Sequence, residues 1–155
     1  MKQVTLCLCL KENEVLLAMK KRGFGAGKYN GYGGKVEEGE TPKAAACREL
    51  KEESELVVEE GDLKQVALVD FRFDGELRFV CQVFLVDKWQ GEPVETEEMS
   101  PVWYSKTDLP LGEMWAADAL WFPRILAGET LKIAVDFGDD GAVVKSFACE
   151  PATFG

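Results

Sequence analysis

GGKVEEGETPKAAACRELKEESEL, Gly33–Leu56, opens with paired glycines, crosses a short acidic loop and then starts a helix with clear punctuation. Thr41 is suited to cap the helix, Pro42 to fill its first turn, and a run of alanines follows. Glu49, Glu52 and Glu53 fall at i, i+3 and i+4, so three carboxylates share one face. Ala46, Cys47 and Leu50 make a narrow apolar stripe that pins the helix to a sheet. Like charges one turn apart cost a few tenths of a kcal/mol each, roughly, and a cation held between them removes that cost. An all-oxygen donor set selects a hard ion, Mg²⁺ first and Mn²⁺ second.

Gly34, five residues, Glu40, seven residues, then Arg48-Glu49-Leu50-x-Glu52-Glu53 resembles the signature box of the Nudix hydrolases, which cleave nucleoside diphosphate linkages. Every charged position of that pattern is present at its spacing. One position departs: Glu55 stands where the pattern has glycine, ahead of the expected apolar Leu56. A non-glycine residue closing a helix in the left-handed conformation costs roughly 1 kcal/mol or more. Glu55 therefore either accepts that strain or lets the helix run on. The resemblance implies a Nudix fold with a mixed sheet sandwiched between two helices. It implies metal binding by Glu49, Glu52 and Glu53, with the Gly34 carbonyl as a further ligand. Arg48 would pair with Glu40 to lock the loop to the helix, and Glu98 matches an additional acidic ligand or base.

Working outward, residues 3–10 alternate, with Val4, Leu6, Leu8 and Leu10 on one side and Thr5, Cys7 and Cys9 on the other. The spacing predicts a strand whose small-residue face either packs or lines a pocket. A turn at Glu12-Asn13 leads to a second strand over residues 15–20. Lys20 to Asn30, KKRGFGAGKYN, is glycine-rich and the one locally basic stretch, a composition suited to phosphate approach. After the helix, residues 64–73 and 76–87 form a hairpin around Asp74-Gly75. Residues 88–100 read as an acidic loop and 102–104 as a short strand. Residues 113–127 read as a helix broken or kinked at Pro123, and 131–137 with 142–147 as a closing hairpin. The expected class is α+β, a mixed sheet with helices on its faces, in one domain over residues 1–155.

Composition narrows the chemistry. The 155 residues carry a formal charge of −10, which argues against a nucleic-acid polymer as partner and leaves a small phosphorylated ligand. No apolar run approaches the ~18 residues of a membrane span, so no membrane partner is expected and the cytoplasm is the default; a monomer is the expected state. Five cysteines with no CxxC pair point to free thiols rather than a zinc or disulfide framework. The absence of histidine excludes Ser-His-Asp, Cys-His and HExxH sites. It also predicts strict dependence on a divalent cation and an alkaline optimum.

The resemblance extends to the oxidised purine nucleoside triphosphatase branch of that family. Residues 20–34, Glu98-Met99, and Met114-Trp115 through Trp121-Phe122-Pro123 carry it. By matching position, Thr5, Lys20, Phe24, Asn30, Trp115 and Asp118 would line a base pocket for a nucleoside triphosphate. Phe24 and Trp115 offer flat faces, Asn30 and Asp118 edge hydrogen bonds. Hydrolysis of 8-oxo-dGTP to its monophosphate and pyrophosphate is the implied activity. Two other readings stay open: another nucleotide as substrate, or a nucleotide-binding module without catalysis. Where the branch has two adjacent acids, this chain has Ala117-Asp118. A solitary Asp118 is expected to ionise readily and act as acceptor only. That predicts a preference for oxidised guanine over oxidised adenine, with Ala117→Asp raising activity on the adenine form.

Overall fold

A computed structural model describes residues 1–155. Its strands are β1 (Lys2–Lys11), β2 (Glu14–Lys20), β3 (Tyr29–Asn30), β4 (Lys64–Phe73), β5 (Glu76–Val86), β6 (Met99–Ser105), β7 (Leu131–Gly138) and β8 (Val143–Pro151). They join one mixed sheet in the order β3-β2-β1-β5-β4-β7-β8, with β6 also pairing β2. β1 and β5 run parallel, as do β4 and β7, while β4 and β5 form an antiparallel hairpin. Asp74 and Gly75 both take positive φ (50° and 82°), the twist that a two-residue hairpin turn requires.

Helix α1 (Pro42–Ser54) covers one face of the sheet and α2 (Asp118–Leu126) the other. β1 shows why both faces are apolar. Leu6 and Leu8 join Trp121, Phe122 and Ile125 of α2, whereas Cys7 and Cys9 pack with Ala46 and Leu50 of α1. The small-residue face therefore divides: Thr5 reaches a cavity, and the two cysteines are packing. No helix is long and apolar enough to cross a membrane.

Thr41 caps α1 through its Oγ1, which accepts from Ala44 N–H at 3.1 Å. Glu55 closes the helix at φ 65°, so it accepts the left-handed strain rather than prolonging the helix. Glu55→Gly is accordingly expected to stabilise the fold by about 1 kcal/mol, read as a higher denaturant midpoint at unchanged slope. No gain would mean that the strain is relieved locally.

Three expectations shift. The helix read over 113–127 begins only at Asp118, because Leu111–Glu113 form a separate single turn and Met114 is extended. It then continues through Pro123 to Leu126 without breaking. The strand at 102–104 is longer, since β6 starts at Met99 to pair along β2. The acidic loop before it is docked on the end of α1: Val94 N–H donates to the Ser54 carbonyl (3.0 Å) and Thr96 Oγ1 to that of Glu53 (3.4 Å).

Candidate active site

The glycine pair lies flat on β1. Thr5 N–H donates to the Gly34 carbonyl at 2.9 Å, and a Cβ on Gly33 would fall 1.8 Å from the Thr5 oxygen, so no side chain fits there. Gly34 serves the helix instead: a Cβ on it would lie 2.5 Å from the Glu49 carboxylate. The Gly34 carbonyl keeps one lone pair free for a further partner.

Arg48 organises the acids beside it. Its Nε and Nη2 donate to Glu40 at 2.7 and 2.9 Å, the fork-on-fork geometry of a strong ion pair, and Nη2 also reaches the Lys35 carbonyl at 3.0 Å. Its Nη1 reaches Glu49 at 2.8 Å and Glu52 at 3.4 Å. The guanidinium holds the Glu40 carboxyl down to about 2. Arg48 thus locks loop to helix and also holds two of the expected ligands, while standing outside the cavity itself.

Glu53 differs from its neighbours. Its carboxyl is buried at the cavity floor, and Oε1 has no hydrogen-bond partner. Burial, reinforced by the Glu49 charge, pushes it up to about 8. Glu98 is held by Arg22, whose Nε donates to its Oε1 at 2.6 Å, so its carboxyl lies below the usual range. Of the five expected ligand positions, Gly34, Glu49 and Glu53 come together; Glu52 leans to Arg48 and Glu98 to Arg22. No three acidic side chains converge on one point as they stand. An orphaned buried oxygen, an all-oxygen donor set and a glycine that leaves room for Glu49 nevertheless fit a hard cation.

Thr5, Lys20, Phe24, Asn30, Trp115 and Asp118 all line one cavity of about 210 Å³, together with Gly33, Gly34 and Glu53. Phe24 lies exposed over Trp115, ring centroids 5.2 Å apart at 30°. Lys28 Nζ stands 5.3 Å from the same indole. Asn30 Oδ1 accepts from Gly31 N–H at 2.8 Å, which leaves its amide NH₂ to donate. The Thr5 hydroxyl has no partner.

The premises of the base-preference expectation are corrected. Asp118 is 3% exposed, and burial pushes its carboxyl up to about 8; the Trp115 N–H at 3.1 Å and the Lys28 charge only moderate this. It therefore carries its proton at neutral pH even without an acidic neighbour. Ala117 is enclosed among apolar side chains and does not line the cavity. An aspartate at 117 would bury a second carboxylate, so Ala117→Asp is expected to destabilise.

Raised above its ordinary value, the Asp118 carboxyl contributes stability that is complete below pH ~4 and is lost as pH rises through about 8. The stability difference between wild type and Asp118→Asn should therefore change by roughly a few kcal/mol between pH 5 and pH 9, against the wild type at high pH. Parallel melting curves for the two proteins over that window would rule this out.

The sequence reading missed Phe71, Phe73, Phe79, Cys81 and Phe137, which form the apolar wall of the cavity. Alternation held a signal for most of them. Residues 69, 71 and 73 share a face, as do 79 and 81, but the Asp74-Gly75 turn alone would set Arg78 opposite Phe71; a register shift between Phe71 and Arg72 brings Phe79 opposite Phe71 and Cys81 opposite Val69.

A family model described as the NUDIX domain matches residues 1–125. An oxidized purine nucleoside triphosphate hydrolase of Danio rerio is 48% identical over 126 residues, 81% of this chain and 80% of that protein. Its counterpart in Mus musculus is 46% identical over 123 residues, 79% and 78% of the two chains. A crystal structure of the mutator MutT protein from Bacillus halodurans superposes with a TM-score of 0.84 at 22% identity. It covers 99% of this chain and 100% of that one, a likeness of fold.

Proposed function

The chain belongs to the NUDIX family, and from that premise we propose that it hydrolyses oxidised purine nucleoside triphosphates, 8-oxo-dGTP to 8-oxo-dGMP and pyrophosphate. One observation carries the reading. A single cavity is lined at once by aromatic faces and edge donors, Phe24, Trp115, Asn30 and Asp118, by Gly34, and by Glu53 from the acidic helix. A purine among the aromatics would place its phosphates toward that helix. Two close relatives are named for this class of substrate.

The residues divide the work. Trp115 stacks on the base, and the Phe24 ring, carried on a glycine-flanked loop, gives way to it or covers it. The Asn30 amide and the protonated Asp118 carboxyl donate to acceptors on the purine edge. The Lys20 ammonium, which lines the cavity beside Glu53, balances phosphate charge. Arg48 fixes the helix and loop on which the acids stand. Glu49, Glu52, Glu53 and Glu98 with the Gly34 carbonyl would hold Mg²⁺, which when bound neutralises the phosphates and activates water.

The test is a panel of normal and oxidised nucleoside triphosphates, nucleoside diphosphate sugars and a metal-free control. Pyrophosphate is scored against orthophosphate. Pyrophosphate release that is greatest with oxidised purines and abolished by chelator is expected. Orthophosphate release, or faster turnover of a diphosphate sugar, would overturn the assignment.

A further inference from the structure

We propose that Gly141, in the turn between β7 and β8, is a positioning residue for base recognition: it leaves the space in which the Trp115 indole lies, so the C-terminal hairpin sets the plane of the stacking ring. The turn lies beyond residues 1–125 matched by the family model, so this role does not follow from membership. It rests on the reading of Trp115 as the platform for the base.

Gly141 is buried and holds φ at 95°, a conformation that side chains rarely adopt. A Cβ there would fall 2.3 Å from Trp115 Cζ3, 3.0 Å from Cε3 and 3.3 Å from Cη2. The ring has little freedom to retreat. Its other edge lies against Gly25, where a Cβ would stand 3.4 Å from Cζ2, and Phe137 packs on it with centroids 5.7 Å apart. The indole is thus bracketed by two glycines from opposite ends of the chain. The far bracket is itself anchored. Asp74 N–H donates to the Phe137 carbonyl at 2.7 Å and Gly75 N–H to Asp136 Oδ1 at 2.9 Å, tying the β4–β5 tip to β7.

The experiment uses the full chain labelled with 5-fluorotryptophan, the Trp115 resonance being assigned by its loss in Trp115→Phe. Gly141→Ala is compared with Gly128→Ala. Gly128 also has positive φ (105°) but nothing within 4 Å of an added Cβ. Both variants lose stability through backbone strain; only Gly141→Ala should shift the Trp115 resonance. Base stacking is worth ~1–3 kcal/mol, so a displaced ring should raise KM for the nucleoside triphosphate about tenfold or more. With the acidic helix untouched, kcat should stay within about twofold. In a Trp115→Leu background the added methyl should leave KM unchanged. An unshifted resonance, or an equal rise in KM without the indole, would overturn the positioning role. A shifted resonance at unchanged KM would instead defeat the reading of Trp115 as base platform. If Gly141→Ala does not fold, Gly25→Ala meets the other edge more gently, and absence of any shift there would also overturn the bracket.

Discussion

Glu53→Gln is expected to lower kcat by about 10²–10⁴-fold, the span usual for losing one essential ionisable group, while fold and nucleotide binding persist. Glu53 is the acid whose environment sets it apart: buried at the cavity floor, one oxygen unpartnered, its carboxyl pushed up to about 8. Below that pH it holds a proton in the free protein, so its carboxylate becomes available as a ligand on the alkaline side. An alkaline optimum is then expected, in keeping with a chain that has no histidine to titrate near neutrality. Glutamine keeps the shape of the protonated acid but cannot supply the anion. Stability at neutral pH should therefore hardly change, which separates a chemical loss from a folding defect. Single-turnover rates with excess enzyme, beside melting curves and equilibrium binding of nucleotide under chelator, check all three. Turnover near wild type would remove Glu53 from the metal-binding set.

How legible this was depended on whether a residue's job is local. The helix start, the acidic face and the Arg48–Glu40 lock lie within residues 33–56, where spacing alone fixes neighbours, and the structure has the cap and the ion pair in place. The Asp74-Gly75 hairpin was readable for the same reason. Long-range facts were not. Nothing near Glu98 in sequence says that Arg22 holds it, and nothing near Gly141 says that an indole lies over it. The N-terminal limit of α2 was misread because Met114-Trp115 look helical by pattern. Asp118 opens that helix instead, with Oδ2 of its carboxyl group accepting from Trp115 N–H. Burial reversed the expectation for Asp118: pattern sees a lone acid, whereas the fold makes it a protonated one.

Trp115→Ala should weaken nucleotide binding about tenfold to a hundredfold, since stacking on an aromatic platform is worth ~1–3 kcal/mol per base. The alternative is that Trp115 is simply core, and its surroundings give that alternative weight: Phe24, Phe73 and Phe137 all pack on it. Two features favour the platform. The indole is only partly buried, whereas Trp121, which lines the same cavity, is fully buried, and Phe24, stacked on Trp115, is exposed rather than enclosed. Lys28 above the ring adds a cation where a polar base edge would arrive. Because Glu49 and Glu53 sit on a different element, the loss should fall on KM, with kcat within a few-fold and divalent-cation affinity unchanged. The bond from Trp115 N–H to Asp118 should persist, as it uses the backbone, which alanine retains. Trp115→Phe should recover part of the affinity by restoring a smaller face. The deciding measurement is nucleotide affinity per folded molecule beside the melting temperature. A collapse in stability with normal affinity in the folded fraction would place Trp115 in the core and leave the base without its platform.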